Sequence, residues 1–251
     1  MLREDEKLPF TAHLEELRSR LIKSFIAAGV GFLVCYGFKE KLFEILIYPL
    51  IQVMPGGGKL IFTGIPEAFF TYLKVSFLAG IILASPVLIY QFWMFVAPGL
   101  YRKERHVLGP IIAVSSFFFI GGALFGYFVV FPSGFKFLLS FGTDYIRTLP
   151  SMREYLNFST QLMFIFGLLF ELPVVLTGLA WLGIISTDYL KRNRKYAILL
   201  AFLAAAFLTP DIVSMILMAI PLMILYEVGI FGARLMARKK TASKEAEPHS
   251  G

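Results

Sequence analysis

The stretch "VLGPIIAVSSFFFIGGALFGYFVVFPSGF", residues 107–135, runs for 29 residues without a charged side chain. A helix rises 1.5 Å per residue, so roughly 20 residues cross the ~30 Å hydrocarbon core of a bilayer. The rest of the chain has the same character, since 57% of its 251 residues are hydrophobic and only 16% are charged. This composition predicts an all-α, polytopic integral membrane protein rather than a soluble domain.

The same length criterion predicts six transmembrane helices in a single membrane domain, residues 1–235. An amphipathic segment, residues 10–23, is expected before the first span, and residues 236–251 are expected to form a disordered tail. The fifth and sixth charge-free runs have 15 residues each, about 22 Å if helical, so this hairpin is predicted to be short for a bilayer. The predicted spans lie near residues 22–38, 72–98, 107–132, 155–183, 196–210 and 211–232.

Basic residues are distributed unevenly between the two sides of the predicted membrane domain. Of the 24 Lys and Arg residues, 17 lie on the side that holds both termini and 7 lie on the other side. Because Lys and Arg accumulate in cytoplasmic loops, this asymmetry predicts that both termini are cytoplasmic. It also accounts for the net charge of +7 without a nucleic-acid partner, which is therefore not expected.

Metal, redox and disulfide chemistry are not predicted. The one cysteine, Cys35, excludes an internal disulfide. The three histidines are scattered, and no metal-binding spacing connects them. We therefore expect neither a metal site nor a cofactor.

The segment "HLEELRSRL", residues 13–21, contains acids that membrane topology does not require, because Asp and Glu contribute little to orientation. On a helix, the polar side chains fall opposite an apolar stripe, so the segment is expected to lie flat on the inner leaflet. One explanation of Glu16 is an ion pair with Arg20 at i,i+4, which contributes about 0.2–0.5 kcal/mol on an exposed helix face. The polar face comprises His13, Glu16, Arg20 and Lys23.

Two further acids need explanation. Glu104 lies in the short loop "YRKERH", and it is either a solvated loop charge or, together with Glu16, part of one pocket at the same rim. Two carboxylates in one pocket would suit a guest with guanidinium groups, whose rigid fork matches a carboxylate. Glu171 lies in the middle of a span, where a charge costs about 2.5–3.5 kcal/mol, so it is either functional or a protonated acid bonded within the bundle.

Five motifs resemble the TatC family, the multi-span receptor subunit of the twin-arginine protein translocase. They are "HLEELRSRL", "ASPVLIYQFWMFVAPGLYRKERH", "GYFVVFP", "FGLLFELPV" and "LTPDIVSMILMAIP", and the resemblance extends from about residue 10 to residue 235. It implies a concave bundle kinked by prolines in the cytoplasmic (inner) membrane. It also implies a receptor, not an enzyme, for folded cargo proteins whose signal peptides carry two consecutive arginines, with export driven by the proton-motive force.

The resemblance also implies partners. These are single-span subunits of the TatA and TatB type, twin-arginine signal peptides, membrane lipid and further copies of the same chain. Carried over by motif, the signal-binding residues are Glu16, Arg18, Arg20, Phe95, Glu104 and Arg105.

A second set of residues matches the family's positions for contacts with partner spans. The intramembrane acid is Glu171, and Asp211 lies at the turn of the short hairpin. Met215 stands where relatives often carry Gln, so a hydrogen bond to a partner span is expected to be absent or supplied by Thr209.

A multi-span small-molecule transporter or channel is the alternative class. Carriers tend to show internal repeats, glycine-broken pairs of spans and several intramembrane charges, and none of these is legible in the sequence. A purely structural scaffold would not explain the acids.

Overall fold

The computed structural model describes residues 10–54, 61, 64, 66–96, 108–139, 151–208 and 212–245. Within these ranges the protein is helical, and its β pairing is limited to one isolated bridge between Ile61 and Ser151. The predicted all-α class is therefore confirmed. A π-helical segment, Gly126–Val130, joins α4 to α5. The helices are α1 Phe10–Tyr36, α2 Lys39–Val53, α3 Glu67–Val96, α4 Leu108–Phe125, α5 Phe131–Leu139, α6 Met152–Phe170, α7 Leu172–Trp181, α8 Thr187–Arg192, α9 Arg194–Leu208 and α10 Ile212–Glu245.

Five helical segments of the described chain are long and apolar enough to cross a membrane, and they correspond to five of the six predicted spans. The remaining predicted span is α9, which has 15 residues and a length of about 22 Å. Its shortness agrees with the sequence analysis. The five segments are Ala12–Tyr36, Glu67–Val96, Gly109–Lys136, Met152–Trp181 and Met218–Ala237.

The beginning of the chain differs from the prediction. Helix α1 is one uninterrupted helix of 27 residues, about 40 Å long, so residues 10–23 are continuous with the first span and are not a separate helix. The physical reason is that residues 10–23 contain no proline or glycine, so nothing in the backbone ends the helix before the apolar part begins. That residues 10–23 lie along the inner leaflet stays a prediction.

The end of the chain also differs. Helix α10 has 34 residues, and its membrane-crossing part, Met218–Ala237, has 20, so the prediction of a short sixth span was wrong. The charge-free run ended at Glu227, but this carboxylate pairs with Arg194 of α9 at 2.7 Å and does not end the helix. Helix α10 also continues to Glu245, through residues that were expected to be disordered and that include good helix formers such as Ala, Lys and Arg.

Prolines do not interrupt α2 and α3, because side-chain hydroxyls replace the hydrogen bonds that proline cannot donate. Pro86 leaves the carbonyl of Ile82 without its helical donor, and Ser85 Oγ donates to that carbonyl at 2.7 Å. Pro49 likewise frees the carbonyl of Ile45, and Tyr127 Oη donates to it at 2.6 Å. The second bond also ties α2 to the π-helical segment.

Helices α1 and α3 cross at two glycines. A Cβ atom on Gly31 would lie 2.5 Å from the carbonyl oxygen of Gly80, so the two backbones are in direct contact. Small residues permit such close approach between membrane helices. This crossing fixes the start of α1 beside the end of α3, which we call the Glu16 end of the bundle. The opposite end, where α3 and α6 begin, is the Glu67 end.

Candidate functional site

At the Glu16 end, an ion pair on α1 is joined to α3. Arg20 Nη2 donates to Glu16 Oε1 at 3.1 Å, and Arg20 Nη1 donates to Oε1 of the buried Gln91 at 3.2 Å. The side chains of Arg20 and Glu16 are 20% and 26% exposed. The i,i+4 pair that the sequence suggested therefore exists, but it is half-buried and braced by a second helix, unlike a pair on a free helix face.

A contact between two aromatic rings lies one helical turn from the ion pair, on the same faces of α1 and α3. The rings of His13 and Phe95 stack with their centroids 4.5 Å apart and their planes 19° apart. Because His13 and Glu16 are three residues apart and Gln91 and Phe95 are four apart, the stack and the ion pair are neighbours on one seam. The structure thus brings Phe95 into the same region as Glu16 and Arg20.

The site leaves one carboxylate oxygen available. Among the described residues, Glu16 Oε2 has no hydrogen-bond partner, while Oε1 is occupied by Arg20. A half-buried carboxylate with a free oxygen, an adjacent aromatic ring and a rim position can accept a charge-assisted hydrogen bond from a cationic guest. Such bonds contribute about 1.5–3 kcal/mol, more than the ordinary surface pair does.

The other predicted signal-binding residues are distributed differently. Arg18 is exposed, and among the described residues it makes no hydrogen bond or ion pair with Glu16 or Gln91. Glu104 and Arg105 lie outside the described residues. Sequence reasoning missed Gln91, whose only signal was an amide in an otherwise charge-free span.

A second polar site lies inside the membrane domain. Glu171 occupies the break between α6 and α7, where Pro173 provides no backbone N–H. Ser115 Oγ donates to Glu171 Oε2, and Trp93 Nε1 donates to Ser115 Oγ at 3.4 Å. The other oxygen, Oε1, is buried and has no hydrogen-bond partner among the described residues. An unsatisfied buried carboxylate oxygen is costly, and an additional hydrogen-bond donor at Oε1 would lower that cost.

The predicted partner-contact residues near the hairpin are only partly described. Met215 is half-buried and packs against the protein's own main hydrophobic core, so its side chain contacts this chain. Thr209 and Asp211 lie outside the described residues.

Sequence reasoning also missed a buried acid at the Glu67 end. Glu67 Oε1 accepts hydrogen bonds from the backbone N–H of Arg153 at 2.7 Å and from Ser151 Oγ at 3.3 Å. Its Oε2 accepts from the backbone N–H of Gly64 at 3.2 Å. The carboxylate therefore joins the beginnings of α3 and α6. Glu67 lies at the edge of a span, where the sequence alone does not distinguish a buried acid from a solvated charge in a loop.

Together, the fold and the two polar sites define a polytopic helical membrane protein with a braced carboxylate at one rim and, among the described residues, an unsatisfied acid between its helices. Residues 12–221 match the family described as "Sec-independent protein translocase protein (TatC)". The chain belongs to the TatC family. This membership agrees with the resemblance in the motifs and does not favour the small-molecule transporter or channel.

Two relatives match over most of their length. A protein of Desulforapulum autotrophicum named "Sec-independent protein translocase protein TatC" is 59% identical over 246 residues, 98% of this chain and 91% of that protein. The protein of the same name from Escherichia coli K12 is 38% identical over 236 residues, 94% of this chain and 92% of that protein. The solved structure "Crystal Structure of Twin Arginine Translocase Receptor- TatC" has 41% identity and a TM-score of 0.76, and the match covers 90% of this chain and 99% of that one.

Proposed function

We propose that this chain is the twin-arginine signal-peptide receptor and the core subunit of a proton-motive-force-driven translocase that exports folded proteins across the cytoplasmic membrane. Membership in the TatC family supports the class of function. The observation that carries the proposal is the half-buried carboxylate of Glu16, which Arg20 and Gln91 hold at the seam of α1 and α3 with one oxygen free. In this proposal, the chain works as a transport protein and not as an enzyme.

The guest arginine binds at Glu16 Oε2. A guanidinium group presents parallel N–H donors that match a carboxylate, and its flat face stacks on aromatic rings such as that of Phe95. Arg20 remains bonded to Gln91 when the guest shares the carboxylate, so the helix pair does not lose its brace. Glu104, with Arg105, supplies the second acid for the second guest arginine, and Arg18 lies at the same rim.

Partner subunits of the TatA and TatB type dock on the membrane-embedded part of the receptor. Glu171 Oε1 takes a hydrogen bond from a polar group of a partner span. The short helix α9 leaves a hydrophobic mismatch of about 8 Å against ~30 Å of hydrocarbon, and a neighbouring protein relieves it. Thr209, Asp211 and Met215 contribute to the contact with partner spans, and several copies of the receptor assemble in one complex.

Crosslinking to a synthetic twin-arginine signal peptide tests the signal site. Glu16→Ala and Glu104→Ala should each weaken binding about 10- to 150-fold, as expected for one charge-assisted contact of about 1.5–3 kcal/mol. Glu15→Ala is the matched control, since Glu15 is exposed on the same turn and should not change binding. Undiminished crosslinking in the Glu16→Ala, Glu104→Ala double variant would refute the site.

Cysteine labelling tests the proposed location, which is the inner membrane with both termini in the cytoplasm. In a Cys35-free background, a cysteine at Gly57 should react with an impermeant maleimide in intact cells, and a cysteine at Ser250 should not. Labelling of position 250 in intact cells would contradict the orientation.

A further inference from the structure

A cavity of about 410 Å³ lies at the Glu67 end of the bundle, between the first turns of α3 and α6. Its walls combine apolar and cationic side chains. The exposed ring of Phe70 provides apolar surface, and Lys74 and Arg153 provide two positive charges. Glu67 and Asn157 also line the cavity, and both contact its cationic residues.

The one acid in this lining is already engaged. The buried carboxylate of Glu67 accepts the backbone N–H groups of Gly64 and Arg153 and the hydroxyl of Ser151. It holds the first turn of α6 against α3 and so shapes the wall of the cavity. Because two cations face one carboxylate, the cavity keeps a net positive charge.

Neither cation is in an ion pair with another described residue. Lys74 Nζ donates to Oδ1 of Asn157 at 2.6 Å, a neutral acceptor that leaves the ammonium charge uncompensated. Arg153 is exposed, and the bond it makes to Glu67 uses its backbone N–H rather than its guanidinium group. An anion between the two side chains would be stabilised by both.

The position of the cavity limits what that anion can be. Glu67 and Met152 are the first residues of two membrane-crossing segments, so the cavity lies at the level of the lipid headgroups. Lys74 is seven residues further along α3, about 10 Å, and a long side chain at that depth extends towards the interface. The exposed ring of Phe70 lies at the same level as the cations and offers apolar surface to an acyl chain.

We propose that this cavity binds an anionic phospholipid of the leaflet at the Glu67 end. Lys74 and Arg153 bind the phosphate group of the lipid, and the exposed ring of Phe70 contacts the upper part of its acyl chains. The apolar walls favour an amphiphile over free phosphate, which would bury no apolar surface. This inference does not depend on the signal site, which lies about 36 Å away along α3 at Gln91.

Native mass spectrometry of the purified full chain tests the proposal with phosphatidylglycerol as the anionic lipid and phosphatidylcholine as the zwitterionic one. The double variant Lys74→Gln, Arg153→Gln keeps polar side chains but removes both charges. Each basic residue near an anionic lipid contributes about 1 kcal/mol, so the variant should bind phosphatidylglycerol about thirtyfold more weakly and lose its preference over phosphatidylcholine. The matched control is Lys41→Gln, Lys136→Gln, which removes two exposed cations elsewhere at this end and should bind like the parent.

Thermal unfolding of the delipidated protein supplies a second readout and checks that each variant is folded. Phosphatidylglycerol should raise the melting temperature of the parent and of the control variant, but not that of the Lys74→Gln, Arg153→Gln variant. Equal stabilisation of all three proteins would overturn the assignment of the cations. If inorganic phosphate at millimolar concentration raised the melting temperature as much as the lipid does, the assignment to a phospholipid would be wrong.

Discussion

The substitution Gly31→Ala should disrupt the signal site without changing any residue in it. A Cβ atom at position 31 would lie 2.5 Å from the carbonyl oxygen of Gly80, whereas ordinary van der Waals contact begins near 3.4 Å. The two helices must therefore separate by about 0.9 Å at their crossing. The bond from Arg20 to Gln91 is 3.2 Å long, so a rigid separation of that size would stretch it beyond hydrogen-bond range.

The same change should weaken binding of the signal peptide, because Glu16 would lose the brace that fixes it at the seam. We expect about tenfold weaker binding, the lower end of the range for one charge-assisted hydrogen bond. The assay is fluorescence anisotropy of a labelled twin-arginine peptide with the protein in nanodiscs. Gly29→Ala is the control, since a Cβ atom at position 29 meets no atom within 4 Å. If Gly31→Ala bound the peptide as tightly as Gly29→Ala does, the role of the helix crossing would be refuted.

Three further substitutions test other parts of the molecule. Glu171→Gln keeps a hydrogen-bond acceptor for Ser115 and should support export of a reporter protein better than Glu171→Leu does. Equal export by both variants would show that a polar side chain at position 171 is not needed for export. Glu67→Ala leaves buried N–H groups without an acceptor and should lower the free energy of unfolding by about 1–3 kcal/mol in thermal melts, whereas unchanged stability would contradict its role at the start of α6. Three leucines inserted after Leu199 should lengthen α9 by about 4.5 Å and abolish crosslinks to partner subunits, while binding of the signal peptide persists. If the variant formed these crosslinks as well as the parent protein does, the short length of α9 would not be what binds the partner.

Much of the fold could be predicted from the sequence because length and charge alone decide whether a helix can cross a membrane. The prediction failed where a charge inside a span is neutralised by another helix. Glu227 ended the charge-free run, but the pairing with Arg194, 33 residues away, made it tolerable within α10. Such a pair follows from three-dimensional packing and has no periodic signal.

The candidate site was predictable only in part for a similar reason. Glu16 and Phe95 came from motifs, and the i,i+4 pair followed from helix geometry. The hydrogen bond from Arg20 to Gln91 could not be predicted in this way, because the two residues are 71 positions apart and meet only where α1 and α3 cross at the glycines. Glu67 was missed as well, since Ser151 and Arg153, which donate to its Oε1, lie more than 80 residues away in sequence.

A double-mutant cycle between receptor and peptide tests the central claim most directly. Glu16→Gln in the protein is combined with replacement of each peptide arginine in turn by glutamine, and the four dissociation constants of each cycle are measured by anisotropy. If Glu16 contacts one of the arginines, that cycle should give a coupling free energy of at least about 1.5 kcal/mol, as expected for a charge-assisted bond. Effects that add within about 0.5 kcal/mol for both arginines would show that Glu16 does not bind the signal peptide directly.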